Sequence, residues 1–380
     1  MDFSLSQDQK MIREMVREFA TNELEPIAAE IDESRGFPHE SIKKMAKLGL
    51  MGVVVPEQYG GAGMDFTSLA IIIEEISRVC ASTGVITAVN NSLVTYPIHH
   101  FGTEDQRKKY LPDLCSGKKI GAIGITEANA GSDPASMETT AVLEGDHYKL
   151  NGAKLWITNG EVADTFVVFA YTDPSVRHKG MSAFIVEKDF PGFSVGKHEN
   201  LMGIRATGNC ELVFDDCMVP KENILGEEGQ GFKIVMHTLD VSRIDIGAQG
   251  VGIAQGALDA AVKYAKERVQ FGKPIAEFQM IQDMLADMAT QIDAARLLVY
   301  RAAIMKDAGV ERFTREAAMA KYYAAEVVVD VTRKAGQIHG GYGYSKDYPV
   351  ERMYRDAKII EIYEGTSQVQ KLVIARNVLK

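Results

Sequence analysis

The segment IYEGTSQVQ, Ile362 to Gln370, sets one carboxylate between apolar neighbours and a glycine. Most glutamates sit in water, so Glu364 has two readings. It is a solvated loop carboxylate, or it is a general base whose proton affinity is raised by desolvation beside Ile362 and Tyr363. Thr366 and Ser367, just past Gly365, are placed to cap a terminal helix. In KLWITNG the only tryptophan, Trp156, stands two residues before Thr158, with Ile157 between them. Strand alternation puts Trp156 and Thr158 on one face, where a flat ring and a hydroxyl can address an aromatic ligand. The same pattern also serves a sheet core. GITEANAGSD, Gly124 to Asp133, offers the small donors Thr126 and Ser132, and Gly131 permits close backbone approach. Its plainer reading is an Asx-type turn.

Other motifs carry less. GVGIAQG, with Gly250, Gly252 and Gly256, resembles a dinucleotide fingerprint, for which RIDIGAQ would have to supply the first strand. The segment after it stays helical past Glu267 and Arg268, so the glycines read as close helix packing. GEEGQGFK, Gly226 to Lys233, misses the phosphate-loop spacing and reads as a turn opening a helix. The eight histidines show no metal-ligand spacing, and the adjacent His99 and His100 read as partly exposed surface; no metal is expected. No G-x-S-x-G elbow occurs. Cys80, Cys115, Cys210 and Cys217 form no C-x-x-C pair and read as buried thiols of a reducing compartment.

Three zones must position these groups. Residues 1–120 follow the helical period, opening with a capping box at Ser6 and Gln9 and the stripe Met11, Ile12, Met15, Val16, Phe19. Residues 121–230 switch to period two in short strands between Gly, Asn and Asp turns, which predicts an antiparallel β sandwich or barrel. Residues 231–380 return to long amphipathic helices over about 231–269, 275–307 and 314–336, which pack as a bundle. Phe278, Ile281, Leu285, Met288 and Ile292 share one face of the second.

The 380 residues carry a net charge of −10 and are 46% hydrophobic. That is globular composition with no footprint for nucleic acid or anionic lipid. No apolar run reaches the ~20 residues needed to span a bilayer, so no membrane insertion is expected. MDFSLSQDQ lacks the pattern of a secretory leader. Cytoplasm is the expected location, and a mature mitochondrial matrix form would share the pattern.

Together these elements resemble the acyl-CoA dehydrogenase family along essentially the whole chain. GITEANAGSD with Pro134, Ala135 and Ser136 is similar to one family signature. Gln337, Gly340, Gly341, Gly343, Asp347, Arg352 and Asp356 are similar to the other; WITNG, ERVQFGKPI and YEGTSQVQ fall in the family's order. The resemblance implies the acyl-CoA dehydrogenase fold: an N-terminal all-α domain, a middle β domain and a C-terminal four-helix bundle, with FAD between the last two. It implies a homotetramer, a dimer of dimers in which each FAD is completed by the neighbouring subunit, and electron-transfer flavoprotein as the partner.

By position, Glu364 matches the catalytic base that takes the α-proton of an acyl-CoA while hydride leaves the β-carbon for flavin N5. The Glu364 backbone N–H and a ribityl hydroxyl would polarise the thioester carbonyl. Thr126, Ser132, Trp156, Ile157 and Thr158 match flavin contacts. Arg268, Phe271, Gln279, Gln337, Gly340 and Gly341 match contacts reaching across the dimer, and Thr366 and Gln368 contacts to the dinucleotide. Ser132, Asp240, Arg243 and Gly365 match the acyl-CoA path. Some relatives carry the base just before the arginine matching Arg243; here that residue is Ser242, which leaves Glu364. Ala128 replaces the usual proline of the first signature, and Gly84 stands where the glutaryl-CoA branch has an arginine. STGVITAVNNSLV, Ser82 to Val94, resembles the short-chain, butyryl-type branch. Alternatives within the fold are a cyclic or branched acyl-CoA, or enoyl-CoA reduction. Outside it stands a nicotinamide-dependent dehydrogenase.

Overall fold

The structure is a computed structural model that describes residues 4–380; Met1–Phe3, which open the MDFSLSQDQ segment, lie outside them. Seven helices come first: α1 (Gln7–Phe19), α2 (Ala28–Ser34), α3 (His39–Lys47), α4 (Phe66–Ser77), α5 (Ala81–Ala88), α6 (Tyr96–Phe101) and α7 (Glu104–Cys115). The predicted capping box is formed, Ser6 and Gln9 exchanging side-chain to backbone bonds at 3.1 Å each. A π-helical segment, Val89–Thr95, joins α5 to α6 and is buried throughout.

The period-two zone forms β1 (Gly121–Gly124), β2 (Thr140–Glu144), β3 (His147–Ile157), β4 (Thr165–Tyr171), β5 (Met181–Glu187), β6 (Phe193–His198), β7 (Cys210–Pro220) and β8 (Ile224–Leu225). They make one eight-stranded sheet in the order β6-β7-β3-β2-β4-β5-β8, with β1 beside β4. The sheet is antiparallel except at two places: β1 runs parallel to β4, and β2 touches β4 in parallel at Thr140 and Tyr171. Hairpin-linked strands must pair antiparallel, but β1 and β4 are separated by the whole β2–β3 hairpin, and that length of chain permits a parallel return.

The last zone holds α8 (Gly231–Glu267), the short hairpin β9–β10 (Val269–Gln270, Lys273–Pro274), α9 (Gln279–Asp307), α10 (Thr314–His339), α11 (Pro349–Ala357) and α12 (Ser367–Val378). RIDIGAQ is helical, part of α8, and GEEGQG is the turn before it. The glycine face of α8 lies on the backbone of α4: a Cβ at Gly252 would stand 2.2 Å from the Glu74 carbonyl oxygen, and one at Gly256 2.0 Å from that of Arg78. Close packing therefore accounts for GVGIAQG.

One apolar core runs from α1 through α4 and α5 to α8, α9 and α10, so the two helical zones share an interior, while a second core lies within the sheet. Ile204 donates its N–H to the buried Asp356 carboxylate at 2.6 Å, and Arg355 bridges Asp32 and the Met202 carbonyl, which ties the helices to the β7 approach. All four cysteines are buried and free. Among the described residues no helix is long and apolar enough to cross a membrane, and no group of His, Cys, Asp or Glu could hold a metal ion.

Candidate active site

Glu364 lies in the link between α11 and α12. Its φ is +57° and that of Gly365 is +88°, two successive left-handed residues. That conformation costs a non-glycine residue roughly 1–2 kcal/mol. The turn persists because its carbonyls are held: Gln370 Nε2 donates to the Glu364 oxygen at 2.9 Å and to the Gly365 oxygen at 3.2 Å. The side chain points to α8, where Ser242 Oγ donates to Glu364 Oε2 at 2.7 Å. Burial raises the Glu364 carboxyl above the ordinary glutamate range; the Ser242 hydroxyl, Arg243 and Lys321 act against it. The apolar cage expected from Ile362 and Tyr363 is not the environment found. Ile362 is largely exposed, Tyr363 bonds away to Gln249, and the Ser242 hydroxyl of α8 meets the carboxylate.

Arg243, one residue past Ser242, donates to Asp240 at 2.7 Å, and Thr314 bonds the other Asp240 oxygen at 2.5 Å. The two expected acyl-CoA contacts are thus one buried ion pair at the mouth of the Glu364 turn. One helical turn beyond Ser242 lies Asp245, almost wholly buried, bonded to Ser92 of the π-helical segment. Burial pushes its carboxyl up to about 8, with the Glu364 charge adding to the effect, and its Oδ1 has no hydrogen-bond partner.

The β layer supplies a second surface. The β3–β7 ladder carries a bulge between Lys154 and Ile157, and Trp156 within it has φ +64°. The pleat therefore does not run through Trp156 as alternation predicts; the bulge turns the ring outward, 55% exposed, while Ile157 is buried and Thr158 half-buried. Leu155 N–H donates to the Thr126 carbonyl at 2.8 Å, which brings the GITEANAGSD loop alongside. Ser132 is exposed, and a Cβ at Gly131 would meet nothing within 4 Å. The expected Asx turn is present at the end of the loop, where the Asp133 carboxylate accepts from the Ala135 N–H at 3.2 Å, but the loop has a second anchor. Its Glu127 carboxylate accepts from the Thr139 N–H at 3.1 Å and from Lys154 Nζ at 2.6 Å.

A third surface is a groove of about 870 Å³ at the α8–α9 hairpin and the end of α10. Arg268, Phe271, Gln337, Gly340 and Gly341 all line it; Gln279 is exposed at its edge, between the lining residues Phe278 and Met280. Phe271 is 94% exposed with φ +51°. Thr366 caps α12, its hydroxyl accepting from the Val369 N–H at 3.2 Å, and Gln368 is exposed two residues later. The candidate residues therefore fall on three surfaces of the chain: the Glu364 turn with Asp240, Arg243, Gly365, Thr366 and Gln368; the Thr126–Trp156 face; and the Arg268–Gly341 groove.

Among the described residues, three of the eight non-glycine residues with positive φ, Trp156, Phe271 and Glu364, are on these surfaces, one on each. Strain concentrates where function requires a fixed geometry. An outward-turned indole, small hydroxyl donors, open glycine backbone and the Arg268 guanidinium suit an anionic dinucleotide carrying a flat ring system.

Reading the sequence missed Asp245, Gln370 and Lys321 and the use of Ser242 as a hydrogen-bond donor. A signal existed for two of them: Asp245 interrupts the apolar run of RIDIGAQ, and Lys321 stands among alanines on the buried face of AAMAKYYAAEVVVD.

Comparison with known proteins covers the chain almost end to end. Family models for the N-terminal, middle and C-terminal domains of acyl-CoA dehydrogenase match residues 6–118, 122–217 and 229–379. The short-chain specific acyl-CoA dehydrogenase of Clostridium acetobutylicum is 57% identical over 380 residues, covering 100% of both chains. The acryloyl-CoA reductase (NADH) of Anaerotignum propionicum is 51% identical, covering 100% of this chain and 96% of that one. Among solved structures, a chain from the work on the electron transferring flavoprotein of Acidaminococcus fermentans superimposes with a TM-score of 0.99 at 52% identity, covering 100% of both chains. With helical, sheet and helical zones in that order and three domain models matched in succession, the chain belongs to the acyl-CoA dehydrogenase family of flavin-dependent oxidoreductases.

Proposed function

We propose that the protein is a short-chain acyl-CoA dehydrogenase that uses FAD and converts a saturated acyl-CoA to its trans-2-enoyl-CoA. The observation that carries this reading is the Glu364 carboxylate, held in a left-handed turn against Ser242 and raised in proton affinity by burial. A thioester α-proton is only weakly acidic, so a base nearer neutrality than a solvated glutamate matches it better. Glu364 accepts that proton on a carboxylate oxygen. Its own backbone N–H is the donor available to polarise the thioester carbonyl as charge develops there.

FAD, when bound, supplies the two-electron acceptor. Thr126, Ser132, Trp156, Ile157 and Thr158 would hold its ring, with Thr366 and Gln368 toward the dinucleotide. Arg268, Phe271, Gln279, Gln337, Gly340 and Gly341 lie on a different surface of the same chain. This supports a homotetramer in which they serve a neighbouring copy. Asp240 and Arg243 would line the CoA path, with Ser132 and Gly365 beside the acyl chain.

The name of the Clostridium relative supports the short-chain substrate, and the Acidaminococcus structure supports electron-transfer flavoprotein as the acceptor. A second reading, reduction of an enoyl-CoA, is favoured by the Anaerotignum relative, which is named as a reductase. Cytoplasm is the proposed location.

Anaerobic mixing of the yellow holoenzyme with a panel of linear, branched and cyclic acyl-CoAs tests the reading. Butyryl-CoA should bleach the flavin, and Glu364→Gln should slow bleaching by 10³-fold or more, about 4 kcal/mol in barrier, while the flavin stays bound. Unchanged bleaching in that variant removes Glu364 as the base.

A further inference from the structure

Lys321, on α10, has no exposed surface. Its neighbours on the buried face of that helix are Ala317, Ala318, Ala320, Ala324 and Ala325, and this strip of small side chains leaves room for its long stem. The ammonium group reaches the link before α12 and donates to the Gly365 carbonyl at 2.6 Å. Burying an ammonium ion without a carboxylate in contact is costly, and an apolar side chain of the same volume would stabilise such a core as well or better. Stability therefore does not explain a lysine at this position.

We propose that Lys321 is a positioning residue for Glu364: it fixes the Gly365 carbonyl, and with it the left-handed turn, and its positive charge keeps the neighbouring carboxylate ionised. This rests on the reading of Glu364 as the base. Two facts support it besides the hydrogen bond. The turn has three donors on two carbonyls. Gln370 reaches both and Arg243 Nε reaches the Glu364 oxygen at 3.5 Å, but Lys321 is the donor that brings a fully buried charge to Gly365. Burial lowers the Lys321 ammonium to about 7 and the Glu364 charge acts to raise it, so the two groups sense each other.

The charges facing Glu364 come from three elements. On α8 they are Arg243, paired to Asp240, and Asp245, neutral below about 8. On α10 there is Lys321, with Glu326 farther along the helix. On the segment before the turn there is Glu361, bonded to Lys358. Arg243 is already committed to a carboxylate; Lys321 is not.

The test is the pH dependence of kcat/KM for butyryl-CoA in the flavin-loaded enzyme. Lys321→Met removes charge and donor; Lys321→Gln, a polar replacement, guards against misfolding; Lys321→Arg restores both. Removing an opposite charge raises a carboxyl, so the acidic limb should move to higher pH by about one unit or more in the Met and Gln variants. It should return in Arg. An acidic limb that stays in place in Met and Gln with full flavin occupancy, whatever happens to the melting temperature, overturns the proposal and leaves Lys321 a packing residue. If Glu364→Gln bleaches at the parent rate, the base assignment itself has failed, and the inference falls with it.

Discussion

Lys154 and Lys321 are both buried to the last atom, one in the sheet and one in the helical bundle, and they are neutralised differently. Lys154 meets its counter-charge directly, with Glu127 at 2.6 Å. Burial lowers the lysine to about 8. Burial works to raise Glu127 as well, but Lys154 and the bonds from Glu138 and Thr139 hold that carboxylate below the glutamate range. The pair is closed: every charge is spent on clamping the Gly124–Asp133 loop to β3. Lys321 instead gives its hydrogen bond to an uncharged carbonyl, and its field remains free to act on Glu364. Contact pairs build structure, whereas a charge not spent on a contact carboxylate is left to act on its surroundings.

Substitutions can break this comparison. The largest expected effect is on stability. Lys154→Met strands the Glu127 carboxylate in a buried site and should lower unfolding free energy by about 3–5 kcal/mol in urea. Adding Glu127→Leu to it should recover most of that loss. Lys321→Met strands no carboxylate and should cost less than half as much; equal losses at the two sites would erase the distinction. Next comes Ser242→Ala. It removes the hydroxyl that, of the groups opposing burial, holds Glu364 down most, so the acidic limb of the rate profile should rise at least as far as for Lys321.

The smallest effect concerns Asp245, whose carboxyl is raised in the folded state. Such a group adds stability below its unfolded value near 3.8 and loses it progressively as pH rises to about 8. Asp245→Asn should therefore flatten the fall in melting temperature between pH 4 and pH 8. An unchanged slope would mean that the carboxyl is not buried in solution.

Much of this architecture is legible in the sequence. Period changes separate helix, strand and helix because burial on one face imposes 3.6 or 2 residues per repeat. The α8 glycines read as packing because the segment after them keeps the helical period, and they do pack on α4. Glu364 stood out by its glycine and capping neighbours. What stayed hidden depends on distant chain segments meeting. Ser242 and Glu364 are 122 residues apart, so no local pattern announces their bond. The outward turn of Trp156 needs a bulge, and a bulge is a mismatch between two strands, visible only when both are paired. The parallel β1–β4 edge has the same origin.

The contact between α8 and α4 has a consequence for redesign. Ser242 stands ten residues before Gly252 on one uninterrupted helix, about 15 Å along its axis, with Arg243 next to it. At Gly252 and Gly256 that helix already rests on the Glu74 and Arg78 carbonyls, backbone against backbone. At this seam there is no side chain to trim, so backbone contact alone sets the spacing of the two helices. α8 behaves as a ruler clamped at one end, so a single methyl at Gly256 would have to push α8 and α4 apart, straining the same helix that holds Ser242 against Glu364.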